Sequence, residues 1–315
     1  MGESSQRMKT FLVTGAAGLI GSSVVRQLVQ QGFRVIAFDN FSIGDWNEEK
    51  EELIWEKGDI GTVDFGSLSK GSKIEAVVHC AAHPGGRSLQ EPSENVRVNT
   101  FGSMRLFEWC TRNQVKVVYL SSSIIYGEQP AGGISETATL NAGTIYGACK
   151  VACENYLRIL QEGYGLQWVI LRLFATYGQG HKPNVHQGIV NVLLTQLLAG
   201  NQVVVKGSLK RLRDFIYVED TTKAITTCLL NANSYGQILN VGSGESLSIM
   251  ELIERLCHLL GKPMKDISIL EEGKTVGDPL YNVADVTKIK NLIGFATDFD
   301  LNKGLSLLIH ARTHK

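Results

Sequence analysis

The sequence predicts an α/β fold, a doubly wound parallel sheet with a smaller C-terminal lobe. Three observations predict it. Near-continuous apolar runs of six or seven residues recur through the first half of the chain, as strands do when both sheet faces are covered. Stretches with helical spacing separate them, giving the β-α alternation of a doubly wound sheet. The turn after the first run, "VTGAAGLIGS", is built on glycines three apart, Gly15, Gly18 and Gly21.

In order, "TFLVTG" (10–15) is the first strand, and 19–31 the first helix. "RVIAFD" (34–39) and "AVVHCA" (76–81) are the next two strands, and a helix is expected over roughly 95–113. "KVVYLS" (116–121) follows, then a helix over 146–163 in which Cys149, Cys153, Tyr156 and Leu160 recur at helical spacing. "WVILRLF" (168–174) completes this first domain, 1–175. After Phe174 the loops lengthen, and helical patterns at 189–199, 219–230 and 248–260 come with few strands. The smaller lobe is therefore 176–315, with 214–240 packing back on the first domain.

Composition narrows the function classes. Lys plus Arg balances Asp plus Glu, 31 each, so no net pull towards nucleic acid or anionic membrane is implied. An anionic ligand must be held by local groups. The six cysteines form no CxxC pair and sit mostly in apolar runs, which suits a reduced, cytoplasmic compartment. The start, "MGESSQRMKT", has no apolar signal core, and no uncharged run approaches the roughly 20 residues of a membrane span. No His/Asp/Glu cluster suggests a metal.

The glycine turn stands between a strand and a helix N-terminus, where backbone N–H groups and the helix dipole favour an anion. The second strand ends in Asp39, about 20 residues on, where an acid can accept from a ribose diol. Together they read as a dinucleotide site; the bland alternative is a merely structural turn. Asp39 would repel a 2′-phosphate, and "FDNFSIGD" offers no Arg or Lys, so NAD is favoured over NADP. Asp59, in "KGDI", reads by itself as a turn residue. "TIYGACK" sets Tyr146 and Lys150 four apart, on one helical face. An ammonium so placed favours the phenolate by charge attraction and makes the tyrosine a candidate base. The bland reading is a polar pair on a solvated helix face.

With "TGAAGLIGS", "DNFS", "GDI", "HCAA", "SSSIIYG", "YGACK", "LRLFATYG", "RDFIYVED" and "NVGSG" in this order, the chain resembles the extended short-chain dehydrogenase/reductases, specifically the nucleotide-sugar epimerase/dehydratase group. The resemblance runs from about Lys9 past Asp285 and implies a Rossmann domain with bound NAD. Gly15, Gly18, Leu19, Ile20 and Gly21 match its pyrophosphate loop; Asp39, Asn40 and Ser42 match its adenosine-ribose segment. Asp59 and Ile60 match its adenine contacts, which replaces the turn reading of Asp59. Cys80, Ala81, Ala82, Ser121 and Phe174 fall beside the nicotinamide half, with Asn99 one layer behind. Tyr146 matches the catalytic base, Lys150 the residue that holds the nicotinamide ribose, and Ser122 the hydroxyl that binds the sugar oxygen.

The resemblance also separates reactions. The group's 4,6-dehydratases place an Asp-Glu pair directly after that serine, and here the two positions are Ser123 and Ile124. An isoleucine moves no proton, so oxidation at C4 followed by re-reduction is implied: a 4-epimerase acting on a UDP-hexose or UDP-hexuronate. A reductase or unusual dehydratase of the same group stays open, as does a non-catalytic NAD-binding regulator. In the substrate lobe Arg213 matches an arginine that pairs with the nucleotide diphosphate. Ala175 and Asp278 match substrate-contact positions, and Lys274 is the nearest substitute for an arginine the group carries there. His83, Arg87, His181 and His186 lie in loops that could line the pocket, with Ser123 beside them. The resemblance further implies a homodimer through helices near 100–113 and 149–162, with Phe107, Trp109, Cys110 and Tyr156 facing outward.

Overall fold

A computed structural model of the protein describes residues 8–180, 188–273 and 276–314. The main sheet is built from β1 (Thr10–Thr14), β2 (Arg34–Asp39), β3 (Leu53–Lys57), β4 (Ile74–His79), β5 (Lys116–Ser122) and β6 (Trp168–Leu173). Later strands are β7 (Ala175–Tyr177), β8 (Gln202–Lys206), β9 (Leu212–Arg213), β10 (Phe215–Tyr217) and β11 (Ile238–Val241). The last are β12 (Leu247–Ser248), β13 (Ser268–Glu272) and β14 (Tyr281–Asn282). The helices are α1 (Leu19–Gln30), α2 (Phe65–Leu68), α3 (Pro92–Val96), α4 (Ser103–Asn113) and α5 (Ile145–Tyr164). They continue with α6 (Ile189–Ala199), α7 (Val218–Leu230), α8 (Ile249–Leu259), α9 (Thr287–Ile293) and α10 (Leu301–Thr313).

Seven parallel strands lie in the order β11-β6-β5-β4-β1-β2-β3. The chain winds one way from β1 and the other way from β4, so the switch point lies between these two strands, and ligands of such sheets bind beyond it at the strands' C-terminal ends. Side chains alternate between two cores. Phe11, Val13, Val35, Ala37, Val118 and Leu120 face α1 and α7. Leu12, Ile36, Phe38, Val117 and Tyr119 face α4 and α5. Both faces being covered is what makes the strands read as continuous apolar runs.

Several expectations change. β3 is an extra edge strand, half-exposed. The expected helix over 95–113 begins at Pro92 and is interrupted by a π-helical turn, Arg97–Gly102. Phe107 and Cys110, expected to face outward, are fully buried, because the apolar stripe of α4 faces the sheet. The C-terminal lobe holds short strands the sequence did not announce, β8 with β13 and β12-β9-β14. From 214–240, β10 pairs with β7, α7 packs on the α1 face, and β11 closes the main sheet. No helix among the described residues is long and apolar enough to cross a membrane.

Candidate functional site

A cavity of about 570 Å³ opens over the glycine turn and is lined by Gly15, Gly18, Leu19, Ile20 and Gly21. Gly15 has φ +68°, and a Cβ there would lie 2.6 Å from Ala81 N. A Cβ on Gly21 would press into the Gly15 backbone. These two positions therefore need glycine so that the β1–α1 turn can fold tightly against the end of β4. No acid occupies the first turn of α1, leaving its N–H groups to the cavity.

Asp39, 8% exposed, ends β2 beside this turn. Its carboxylate accepts from Ala17 N at 2.9 Å and Phe41 N at 2.7 Å. Asn40 and Ser42 line the cavity too, with Ser42 N donating to Asn40 Oδ1 at 3.0 Å. Ile43 and Gly44, which the sequence reading missed, complete that wall, and a Cβ on Gly44 would lie 2.8 Å from Gly18 N. The glycine in "FSIGD" was the available signal.

The two residues of the expected adenine pair part company. Ile60 lines the cavity and Asp59 does not. Both Asp59 oxygens accept from Arg97 at 2.7 Å, and Oδ1 also from Gly61 N. The Arg97 guanidinium holds the Asp59 carboxyl below the usual carboxylate range. Glu94, which shares Arg97, lines the cavity instead.

At the other end Cys80, Ala81, Ala82, Ser121, Ser122 and Phe174 line the wall, with Thr176, which was not anticipated. Burial pushes the Cys80 thiol up to about 12. Asn99 sits behind, in the π-helical turn, and pins the wall: Oδ1 accepts from His83 N at 2.7 Å, and Nδ2 donates to His83 O at 3.0 Å. Ser122 Oγ accepts from Ile124 N at 3.4 Å and caps a short turn. Ser123 is buried and outside the lining; Ala175, the first residue of β7, is partly buried and also outside it.

Tyr146 and Lys150 both reach this cavity. α5 starts where Thr144 Oγ1 accepts from Gly147 N at 3.0 Å, which puts Tyr146 in its first turn. Lys150, 3% exposed, donates from Nζ to Leu120 O at 2.8 Å, and that nitrogen stands 5.5 Å from the Tyr146 ring centre. A Cβ on Gly85 would lie 3.2 Å from Tyr146 Cδ1, so the loop after β4 rests on the phenol ring. His83 and Arg87 of that loop line the cavity. His83 Nε2 is 2.6 Å from Glu91 Oε2, whereas the Arg87 side chain makes no hydrogen bond among the described residues.

Arg213 and Asp278 form a separate cluster. Arg213 Nη2 donates to Asp278 Oδ1 at 2.5 Å and to Pro279 O at 2.7 Å, and burial lowers the guanidinium's pKa. Arg211, two residues back and just ahead of β9, pairs with the same carboxylate. The cluster adjoins α5: a Cβ on Gly277 would lie 2.7 Å from Thr144 Cγ2. His181, His186 and Lys274 lie outside the described residues.

The glycine cradle, the helix N-terminus and the buried carboxylate at the β2 end fit a dinucleotide. A sequence model of the NAD dependent epimerase/dehydratase family matches residues 11–242. The chain belongs to this family. Relatives within the family differ in reaction. A UDP-glucose 4-epimerase of Mycolicibacterium smegmatis is 31% identical over 303 residues, 94% of this chain and 96% of that one. A dTDP-glucose 4,6-dehydratase of Xanthomonas campestris pv. campestris is 27% identical over 329 residues, 96% and 92% of the two chains. Among solved structures, the UDP-glucuronic acid 4-epimerase of Bacillus cereus, in complex with UDP-glucuronic acid and NAD, superposes with a TM-score of 0.88 at 27% identity, over 96% of this chain and 98% of that one. The epimerase/dehydratase family accordingly gives this chain its fold and its cofactor, NAD.

Proposed function

We propose that the protein is an NAD-dependent nucleotide-sugar 4-epimerase acting on a UDP-hexose or UDP-hexuronate. The observation that carries this reading is the pair Ser123 and Ile124 directly after Ser122. Neither supplies the carboxyl groups that removal of a C5 proton and loss of a C6 hydroxyl require, while Tyr146, Lys150 and Ser122 meet at one cavity. Cys80 does not make up the lack, since its raised thiol is a poor base near neutral pH.

NAD, which Gly15 to Gly21, Asp39 and Lys150 would hold, would supply reversible hydride transfer at C4. The chain's own work is proton handling and placement. Tyr146 Oη takes the proton of the C4 hydroxyl and later returns it. Lys150 Nζ, fixed on Leu120 O, stabilises negative charge on that oxygen and holds the nicotinamide ribose. Ser122 Oγ hydrogen-bonds the sugar oxygen and keeps it facing Tyr146. Gly15 to Gly21 seat the pyrophosphate, Asp39 and Asn40 the adenosine ribose, and Arg213 the substrate diphosphate.

Incubating the purified protein with a panel of UDP-hexoses and UDP-hexuronates tests the reading. The expected result, by NMR and mass spectrometry, is inversion at C4 with unchanged mass and no need for added NAD. A product lighter by one water overturns the reading in favour of a dehydratase. A requirement for stoichiometric reduced cofactor makes it a reductase, and no turnover of any sugar leaves a binding protein.

A further inference from the structure

Beneath the Tyr146–Lys150 pair lies a buried ion pair that none of these roles uses. Glu154 and Arg172 have side chains 2% and 3% exposed. Arg172 Nε donates to Glu154 Oε1 at 3.1 Å and Nη2 to Oε2 at 2.7 Å. Ser121 Oγ donates to the same Oε1 at 2.6 Å. The remaining guanidinium nitrogen, Nη1, donates to Tyr126 OH and to Glu136 O, both at 2.9 Å. Every charged atom of the pair is thus satisfied by a directed partner.

The position of the pair matters more than its charge. Glu154 is one turn beyond Lys150 on the face of α5 that meets β5. Lys150 Nζ is tied to Leu120 O, and Glu154 is tied to Ser121. Two successive turns of the helix are therefore fastened to two successive residues of the strand, and the next residue of that strand is Ser122. Of the rest of this helix face, Leu157 and Leu160 pack through apolar contact, which sets separation and not register, and the Cys153 thiol donates to Asn99 O in the π-helical turn and so does not tie α5 to the backbone of β5. A fully satisfied buried ion pair is often no more stabilising than apolar side chains of the same volume. What it supplies here is direction.

We propose that Glu154 and Arg172 are positioning residues: they fix the register of α5 on β5, so that Tyr146 Oη and Ser122 Oγ converge on one substrate hydroxyl. The role of that hydroxyl rests on the epimerase reading; the register itself does not. The double variant Glu154→Leu/Arg172→Met removes both charges together and leaves net charge unchanged. It should melt near the wild type and bind NAD as tightly. Its kcat should fall about 10- to 100-fold, the scale of a misplacement of about 1 Å, while KM for the nucleotide sugar stays within about threefold. The 13Cζ resonance of Tyr146, assigned by its loss in Tyr146→Phe, should move; this readout needs no substrate and stands even if the epimerase reading fails. Wild-type kcat with an unmoved resonance overturns the proposal and leaves the pair a structural one. If the double variant does not fold, Ser121→Ala decides: it cuts the tie of Glu154 to β5, and since Ser121 also lines the cavity, NAD affinity is measured alongside to separate the two effects. It should lower kcat several-fold and move the same resonance with NAD still bound, and wild-type values for both overturn the proposal.

Discussion

At Tyr146 the proposed base and the groups that would hold the cofactor are different atoms, and this separates what a substitution should do. The phenol contributes a proton site in the first turn of α5. On the proposed reading, the affinity for NAD comes from the glycine turn and Asp39, which line the far end of the cavity. Tyr146→Phe should therefore lower kcat by about 10²- to 10⁴-fold, the usual cost of a lost general base, while NAD binding measured by calorimetry stays at the wild-type value. Loss of NAD binding in that variant would put the tyrosine in a structural role. Residues of this kind were legible because their constraint is local: a glycine turn or a YxxxK pair shows in a few adjacent letters. Asp59 was less legible for the opposite reason. The partner that takes its carboxylate, Arg97, comes from the π-helical turn far along the chain, and no spacing announces such a pairing. Arg211 went unnoticed similarly, since its link to Asp278 joins the residue ahead of β9 to a distant loop.

At the scale of elements, legibility followed burial. β1, β2, β4, β5 and β6 are covered on both faces and read as apolar runs, whereas β3 at the sheet edge is half-exposed and β9, β12 and β14 have two residues each, too few for any period. The small strands matter because they carry Arg213 and bring the loop after β13 against the start of α5. The meeting point is backbone on backbone: Gly277 at φ +70° presses on Gly143 and on Thr144, the N-cap of α5. Gly277→Ala puts a side chain into both a left-handed conformation and that contact, at a strain of about 1–3 kcal/mol. The loop should withdraw and take Asp278 away from Arg211 and Arg213. The expected outcome is a raised KM for the nucleotide sugar with NAD affinity unchanged, measured by initial rates and calorimetry. A variant that merely melts earlier, with the wild-type KM, would show that the contact has no part in binding substrate.

For the whole molecule, the open question is what covers the outer side of the α3–α5 layer. Sequence spacing identified the amphipathic helices but not which stripe faces the sheet. The apolar stripe of α4 turns inward, so Phe107 and Cys110 belong to the core, and Trp109 and Tyr156 are partly buried against it. The outward apolar side chains are others. Val96 is 47% exposed, Phe101 55% and Ile159 60%, all on the segments that cover this one sheet face. Exposed apolar groups gathered on one layer mark an association surface more often than scattered ones do. We propose that two copies pair through this layer, burying there the roughly 800 Å² per partner of an ordinary stable interface. Light scattering at micromolar concentration should give twice the chain mass. Phe101→Glu with Ile159→Glu should shift the mass to that of one chain, because carboxylates would be trapped in an apolar contact. None of Val96, Phe101 and Ile159 lines the cavity, so the monomeric variant should still bind NAD. A wild-type monomer at that concentration, or a double variant that stays dimeric, would remove this face as the interface.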